Sequence, residues 1–166
     1  MRLYIKNKLV TLGGSSVVVD EQGRTVYEIE GKVFSPMRKK IIKSLIEGGA
    51  KWHSYTVRNK FWRFIRKSAL VYNSWGEKIG QMKDKFFGNC EFVGKYGYRA
   101  EGNILKGVKV YKDDELIGSF SREYNSALLF ARDTYALEVY GYWHEAFLVA
   151  LVIAYDNIWD DKKDII

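Results

Sequence analysis

The sequence predicts a mainly β domain of the α+β class: a closed antiparallel β-barrel of about twelve strands around a central hydrophobic C-terminal helix. Three observations predict it. Hairpin signals recur along the chain, one segment near the C-terminus is apolar on every side, and aromatic residues make up 16% of the composition. Aromatic side chains favour strands because they pack well on a pleated surface. With 166 residues and one proline, we treat 1–166 as a single domain.

Three hairpins are predicted where alternating apolar strands flank a short polar turn. They span residues 16–29 with a turn at 20–23, residues 69–82 with a turn at 73–76, and residues 108–120 with a turn at 112–115. Gly80 and Gly118 each follow an isoleucine on the return strand. The units therefore form a weak quasi-repeat, with the backbone expected to bend at equivalent places.

Further strands are predicted between the remaining turn signals, many of which contain glycine. These strands cover residues 2–7, 32–34, 38–44, 55–61, 90–93 and 134–140. With the hairpins, they bring the total to about a dozen short strands, which favours a barrel or a sandwich.

The pattern of the C-terminal region predicts a helix and favours a barrel over a sandwich. Residues 143–161 contain no glycine or proline and include good helix formers, so we predict a helix over 143–157. Residues 147–155 are apolar on every side, which requires burial, and they are too few for the about 20 that cross a bilayer. In a β protein, the inside of a closed barrel covers every face of such a helix.

The cysteine and charge patterns predict a cytoplasmic protein, with or without peripheral contact to a membrane. Cys90 is the single cysteine, so no intrachain disulfide forms, as is typical of a reducing compartment. The N-terminal residues carry charges that a signal peptide's apolar stretch lacks. We predict no transmembrane span.

The net charge of +7 comes from one stretch of the chain. Residues 32–67 hold eleven Lys or Arg and one acid, whereas the remaining residues have an excess of three acids. This asymmetry suggests an anionic partner such as a lipid headgroup or nucleic acid. Solvated strand faces that protect sheet edges are an equally open interpretation.

Within this stretch, cations alternate with aromatic residues. The two-residue period of a strand places Arg58 and Lys60 on one face, with Val57, Asn59 and Phe61 towards the core. Cations attract phosphates, while Trp and Phe favour the membrane interface or stack on unpaired bases. The candidate anionic-ligand-binding residues are Arg38, Lys39, Lys40, Lys43, Arg58, Lys60, Arg63, Arg66 and Lys67. An ordinary core with solvated basic neighbours remains the alternative.

Catalytic and metal-binding patterns are weak. His53 and His144 lie far apart, and neither a CxxC nor an HExxH spacing occurs. Cys90 is interpreted as a buried small hydrophobe, and Asp156 as a hydrogen-bonding group at the barrel mouth. We therefore expect no enzyme activity, no metal and no cofactor.

The order of several segments resembles the tubby C-terminal-like domains, and within them the LURP-one-related proteins. The resemblance is carried by the opening LYIKNKLVTLGGSSVVVDEQGRTVYEIEGKVF, the block GYRAEGNILKGVKVYKDDELIGSFSRE, the Asp133-Thr134-Tyr135 step and the helix closing on Asp156. Together they cover nearly the whole chain. The resemblance implies a barrel threaded by its hydrophobic C-terminal helix.

The functional implication of this resemblance is a binding role. Tubby proteins bind lipid headgroups, but we can align none of their headgroup-binding residues to this sequence. The palmitoylated cysteine run of the related scramblases is absent here. The sequence thus predicts a non-enzymatic domain that contacts anionic, phosphoinositide-like headgroups through the basic, aromatic-rich segment. The alternative is a protein-interaction or nucleic-acid-binding domain without a lipid role.

Overall fold

A computed structural model describes residues 1–7, 16–31, 39–45, 51–60, 67–123, 134–141 and 143–163, and their side chains except those of 6, 7 and 159–163. Within these residues the chain forms twelve strands and then one helix. The strands are β1 (Arg2–Asn7), β2 (Ser16–Asp20), β3 (Thr25–Gly31), β4 (Lys40–Leu45), β5 (Lys51–Asn59), β6 (Ser68–Asn73), β7 (Lys78–Asp84), β8 (Asn89–Gly94), β9 (Tyr98–Asn103), β10 (Gly107–Lys112), β11 (Glu115–Glu123) and β12 (Thr134–Val139), and the helix is α1 (Glu145–Lys163).

The strands form one closed antiparallel barrel. Each strand pairs with its neighbours in sequence, and β1 pairs with both β2 and β12 to close the ring. This confirms the predicted fold class and strand number. The strand predicted at 32–34, the start of the one at 38–44 and the end of the one at 55–61 lie outside the described residues.

Helix α1 runs through the inside of the barrel, as predicted. Every side chain from Phe147 to Ile158 is buried, including those on all faces of the helix. The inward residues of the strands, such as Ile42, Met82 and Leu137, supply the other half of the core. Because inward strand residues surround the helix, they bury every apolar face of it.

The three hairpins of the predicted quasi-repeat each contain a β-bulge, and so does the hairpin of β4 and β5. In four hairpins the return strand carries one extra residue: Val26, Ser54, Ile79 or Ile117. The residue after each bulge points into the barrel. At Gly118, a Cβ would meet Leu148 of α1 and lie 2.5 Å from the Glu138 carbonyl oxygen, so the close packing of helix and strand leaves room only for glycine.

The strand β9 is not among the strands predicted from the sequence. Its sequence, YRAEGN, has little β propensity. It is a strand because β8 and β10 both pair along its length. Tertiary pairing therefore outweighs the local preference.

The helix gives the barrel two distinguishable ends. At the proximal end, where α1 begins, the Tyr27 hydroxyl lies 3.2 Å from Glu145 Oε2 and the Tyr98 hydroxyl lies 3.2 Å from His144 Nδ1. At the distal end, Asn59 Nδ2 donates to the Asn157 carbonyl oxygen at 3.5 Å. Strands β7 and β9 begin at the proximal end and run to the distal end. The connections that follow them, at 84–89 and 103–107, therefore lie at the distal end.

Candidate functional site

Lys43 and Lys40, both predicted site residues within the described part of the chain, form ion pairs. Lys43 Nζ lies 2.7 Å from Glu30 Oε1 on the outer surface, and its hydrogen bond lowers the pKa of that carboxyl. Lys40 points into the barrel, where its Nζ lies 3.2 Å from Oδ2 of Asp156. The structure therefore places Lys40 in the packing of the helix rather than on a surface site.

Two others, Lys39 and Arg58, line an open groove on the outer face of β5 and β6. This arginine groove has a volume of about 430 Å³ and includes His53, Tyr72 and Trp75. The Arg58 guanidinium donates to the Tyr72 hydroxyl at 2.6 and 3.0 Å and lies 4.7 Å from the centre of that ring. Two of its five N–H donors are thus directed at Tyr72.

Lys60 and Lys67 meet at a second cleft, near the distal end of β6 and β7. This lysine cleft has a volume of about 290 Å³ and is lined by Lys60, Lys67, Lys83, Lys85, Ser68, Gln81 and Asp84. Asp84 is the one carboxylate among these seven residues. Four lysines line this one small cleft, and such an excess of cations favours an anion.

The backbone that carries the lysine cleft is tied to the barrel. The Lys60 amide donates to the Ser68 carbonyl oxygen at 3.0 Å, and the Asp84 amide donates to the Lys67 carbonyl oxygen at 3.2 Å. Ser68 also pairs with Lys83 across the β6–β7 ladder. Lys85 Nζ lies 2.8 Å from Glu91 Oε2, so this lysine shares its charge with a neighbouring strand.

Lys83 and Lys85 were not in the predicted set, because they lie beyond the basic stretch at 32–67. Their alternation along β7 and its exit was visible in the sequence, but only the strand pairing shows that they adjoin Lys60 and Lys67. The remaining predicted residues, Arg38, Arg63 and Arg66, lie outside the described residues. In sequence, two of them fall between Lys60 and Lys67.

The environment of Cys90 and the arrangement of possible metal ligands bear on whether the domain has a catalytic site. Cys90 is buried, and burial, with a smaller effect of Asp84, raises the pKa of its thiol to about 12. The thiol is therefore protonated at neutral pH. The part of the chain that the structure describes contains no cluster of three His, Cys, Asp or Glu side chains suited to a metal.

Asp156 has the hydrogen-bonding role that the sequence predicts. Its Oδ1 accepts a hydrogen bond from the buried Tyr135 hydroxyl at 2.9 Å, while Oδ2 faces Lys40. Burial and the adjacent Asp156 raise the pKa of Tyr135, which stays a hydrogen-bond donor. Among the described residues, no helix combines the length and apolar character needed to cross a membrane.

Comparison with known proteins identifies the family of this chain. A family model described as LURP-one-related matches residues 1–156. The chain belongs to the LURP-one-related family. This confirms the resemblance to the LURP-one-related proteins, and the match extends through every described strand and along α1 to Asp156. Comparison with curated proteins and with solved structures finds no match.

Proposed function

We propose that this LURP-one-related domain is a non-enzymatic module that binds anionic, phosphoinositide-like lipid headgroups at the lysine cleft. The observation that carries the proposal is the convergence of Lys60, Lys67, Lys83 and Lys85 around a cleft with one carboxylate among its lining residues. The tubby proteins that the sequence resembles bind lipid headgroups, which supports the same chemistry.

Physical considerations favour a phosphate-bearing ligand. An ammonium group binds phosphate as a point charge, and ladder-paired strands hold Lys83 and the backbone of Ser68 in register. Arg63 and Arg66 add two cations in the sequence between Lys60 and Lys67. The binding depends on salt, because exposed charges are screened within about 8 Å at physiological ionic strength.

Vesicle cosedimentation tests the proposal. The protein should bind phosphatidylcholine vesicles that contain a phosphoinositide more tightly than vesicles of phosphatidylcholine alone. Each lysine near an anionic membrane contributes about 1 kcal/mol, so the triple variant Lys60→Gln, Lys83→Gln, Lys85→Gln should lose affinity on the order of a hundredfold. A matched control neutralises three lysines of the proximal half, Lys51, Lys78 and Lys95, and should bind nearly as the parent does.

Competition separates lipid from nucleic acid. Soluble inositol phosphates should displace the protein from vesicles, whereas single-stranded oligonucleotides at equal phosphate concentration should do so poorly. If both triple variants bind equally, the lysine cleft is not the headgroup site. If oligonucleotides compete better than inositol phosphates, the nucleic-acid interpretation replaces the lipid one.

A further inference from the structure

The connection between β7 and β8, beside the lysine cleft, exposes two phenylalanines. Phe86 is 53% exposed and Phe87 is 94% exposed. Both have positive φ values, 71° and 53°, and Gly88 follows with φ of 81°. An L-residue with a large side chain is disfavoured in this conformation, and such turns prefer Asn-Gly. Phenylalanine is therefore unfavourable at 86 and 87 for two reasons: its apolar ring is exposed to water, and its backbone is in a disfavoured conformation.

The turn is nevertheless held in a defined shape. The Asn89 amide donates to the Phe86 carbonyl oxygen at 3.0 Å, and Asn103 Nδ2 donates to the Phe87 carbonyl oxygen at 3.0 Å. The Ile104 amide donates to the Gly88 carbonyl oxygen at 3.0 Å, which joins this turn to the one between β9 and β10. These bonds fix the direction in which the side chains project.

The second turn adds another apolar side chain. Leu105 is 57% exposed and adjoins the first turn through the buried Ile104. We name Phe86, Phe87 and Leu105 the apolar tip. Three separate side chains on two bonded turns make a small apolar projection at the distal end of the barrel.

The charges around the apolar tip are mainly positive. Lys85 precedes Phe86, Lys106 follows Leu105, and Lys83 lies on the adjoining strand. Three acids also lie nearby: Asp84 Oδ1 accepts a hydrogen bond from the Phe86 amide at 3.3 Å, Glu91 pairs with Lys85, and Glu123 lines a cleft with Lys106. With Lys60 and Lys67 of the adjoining lysine cleft, five lysines stand against these three acids. Apolar residues beside an excess of lysines complement an anionic bilayer, whose headgroups attract the cations while its interface accepts the aromatic rings.

We propose that the apolar tip inserts into the interfacial layer of an anionic membrane, so that the barrel docks on its distal end. The inference rests on the proposed headgroup function and adds the orientation and the inserting residues. The proximal end also exposes aromatic side chains, Trp75 and Trp143, at 90% and 92%. Five of the connections at that end, 20–25, 73–78, 94–98, 112–115 and 140–145, hold seven acids against four Lys or Arg. This excess of acids disfavours approach to an anionic surface.

A single-site probe tests the orientation. Phe87→Cys is labelled with an environment-sensitive fluorophore, and Trp75→Cys is the matched control at the proximal end. The native Cys90 is 3% exposed and does not compete for the label. On phosphatidylcholine vesicles containing a phosphoinositide, the probe at 87 should shift to shorter wavelength and be quenched by brominated acyl chains, while the probe at 75 should not.

The outcomes distinguish this inference from the proposed function. If the labelled protein binds vesicles and loses binding on neutralisation of the lysine cleft, but the probe at 87 stays in water, insertion is wrong and headgroup binding stands. A shift at 75 in place of 87 would reverse the orientation and overturn the inference. If the protein binds no vesicles, both proposals fail.

A second variant gives opposite effects on folding and binding. Phe87→Asn creates the Asn-Gly sequence that turns with two positive φ values prefer, so its melting temperature should rise. Its affinity for the same vesicles should fall about tenfold, because a large apolar side chain no longer enters the interface. Unchanged affinity with a higher melting temperature would show that Phe87 does not contact the membrane.

Discussion

Lys40 on β4 and Asp156 on α1 form an ion pair inside the barrel, with 3.2 Å between Nζ and Oδ2. The side chain of Asp156 is almost fully buried, and the Tyr135 hydroxyl on β12 completes its hydrogen bonding. The carboxylate therefore connects the helix to two strands at different places in the ring. Such a group stabilises a unique position of the helix only while its partners are present.

Removing this carboxylate should destabilise the fold. Asp156→Asn leaves the Lys40 ammonium mostly buried without a counter-charge, so we expect the free energy of unfolding to fall by about 3 kcal/mol. Urea denaturation measures the loss. Lys43→Met is the control, because it breaks a partly exposed pair with Glu30 whose contribution is about 0–1 kcal/mol. Equal losses in the two variants would contradict a special role for the internal pair.

A second prediction concerns the contact between Gly118 and the helix. Gly118→Ala places a methyl group against Leu148 and 2.5 Å from the Glu138 carbonyl oxygen, and a backbone atom yields little. Overpacking of this kind costs about 1–3 kcal/mol, which thermal denaturation detects. Adding Leu148→Ala relieves the side-chain clash but not the backbone one, so stability should not recover to that of Leu148→Ala alone. Full recovery would show that only the leucine limits the space.

The pH dependence of stability should carry a contribution from His144. Burial, and next the charge of Lys112, lower the pKa of His144 in the folded protein. The unfolded chain then binds the proton more readily, so this contribution is fully present above about pH 6.5 and is lost as the pH falls through the lower folded value. His144→Gln should flatten the change of melting temperature over this range.

The neighbouring carboxyl acts in the opposite sense. Burial raises the pKa of Glu145, so its stabilising contribution is present below about pH 4.3 and is lost as the pH rises through the raised folded value. The comparison of parent and His144→Gln isolates the histidine, because both retain Glu145. Parallel melting curves at every pH would contradict the prediction.

The parts of the fold that depend on local pattern were predictable. The first strand lies at Arg2–Asn7 as predicted, and the all-apolar helix correctly indicated a closed barrel around it. The alternation along β4 also contains the orientation of Lys40. Ile42 faces the core, and because side chains two positions apart share a face of a strand, Lys40 points inward too despite its charge.

The lysine cleft needed more than local pattern. Lys60 and Lys83 are 23 positions apart in the chain, and only strand register places them at one cleft. The apolar tip likewise depends on the hydrogen bond between the turns of β7–β8 and β9–β10. The sequence predicts a basic site but does not show which basic residues lie together.

Vesicle binding should separate the lysine cleft from the arginine groove. In the groove, the Arg58 guanidinium is already bound to the Tyr72 hydroxyl at 2.6 Å, and a phosphate would have to compete with that contact. The double variant Lys39→Gln, Arg58→Gln should therefore bind phosphoinositide vesicles within about threefold of the parent, since it removes distributed charge without touching the cleft.

The same double variant should lose stability, because the Arg58 stem and guanidinium pack on the Tyr72 ring. Cosedimentation at two salt concentrations and a melting curve are the measurements, with Lys60→Gln, Lys83→Gln, Lys85→Gln beside it. That triple variant should show the reverse profile, with weak binding and a nearly unchanged melting temperature. If the groove variant loses binding as severely as the cleft variant, the headgroup contacts the outer face of β5 and β6, and the lysine cleft is not the main site.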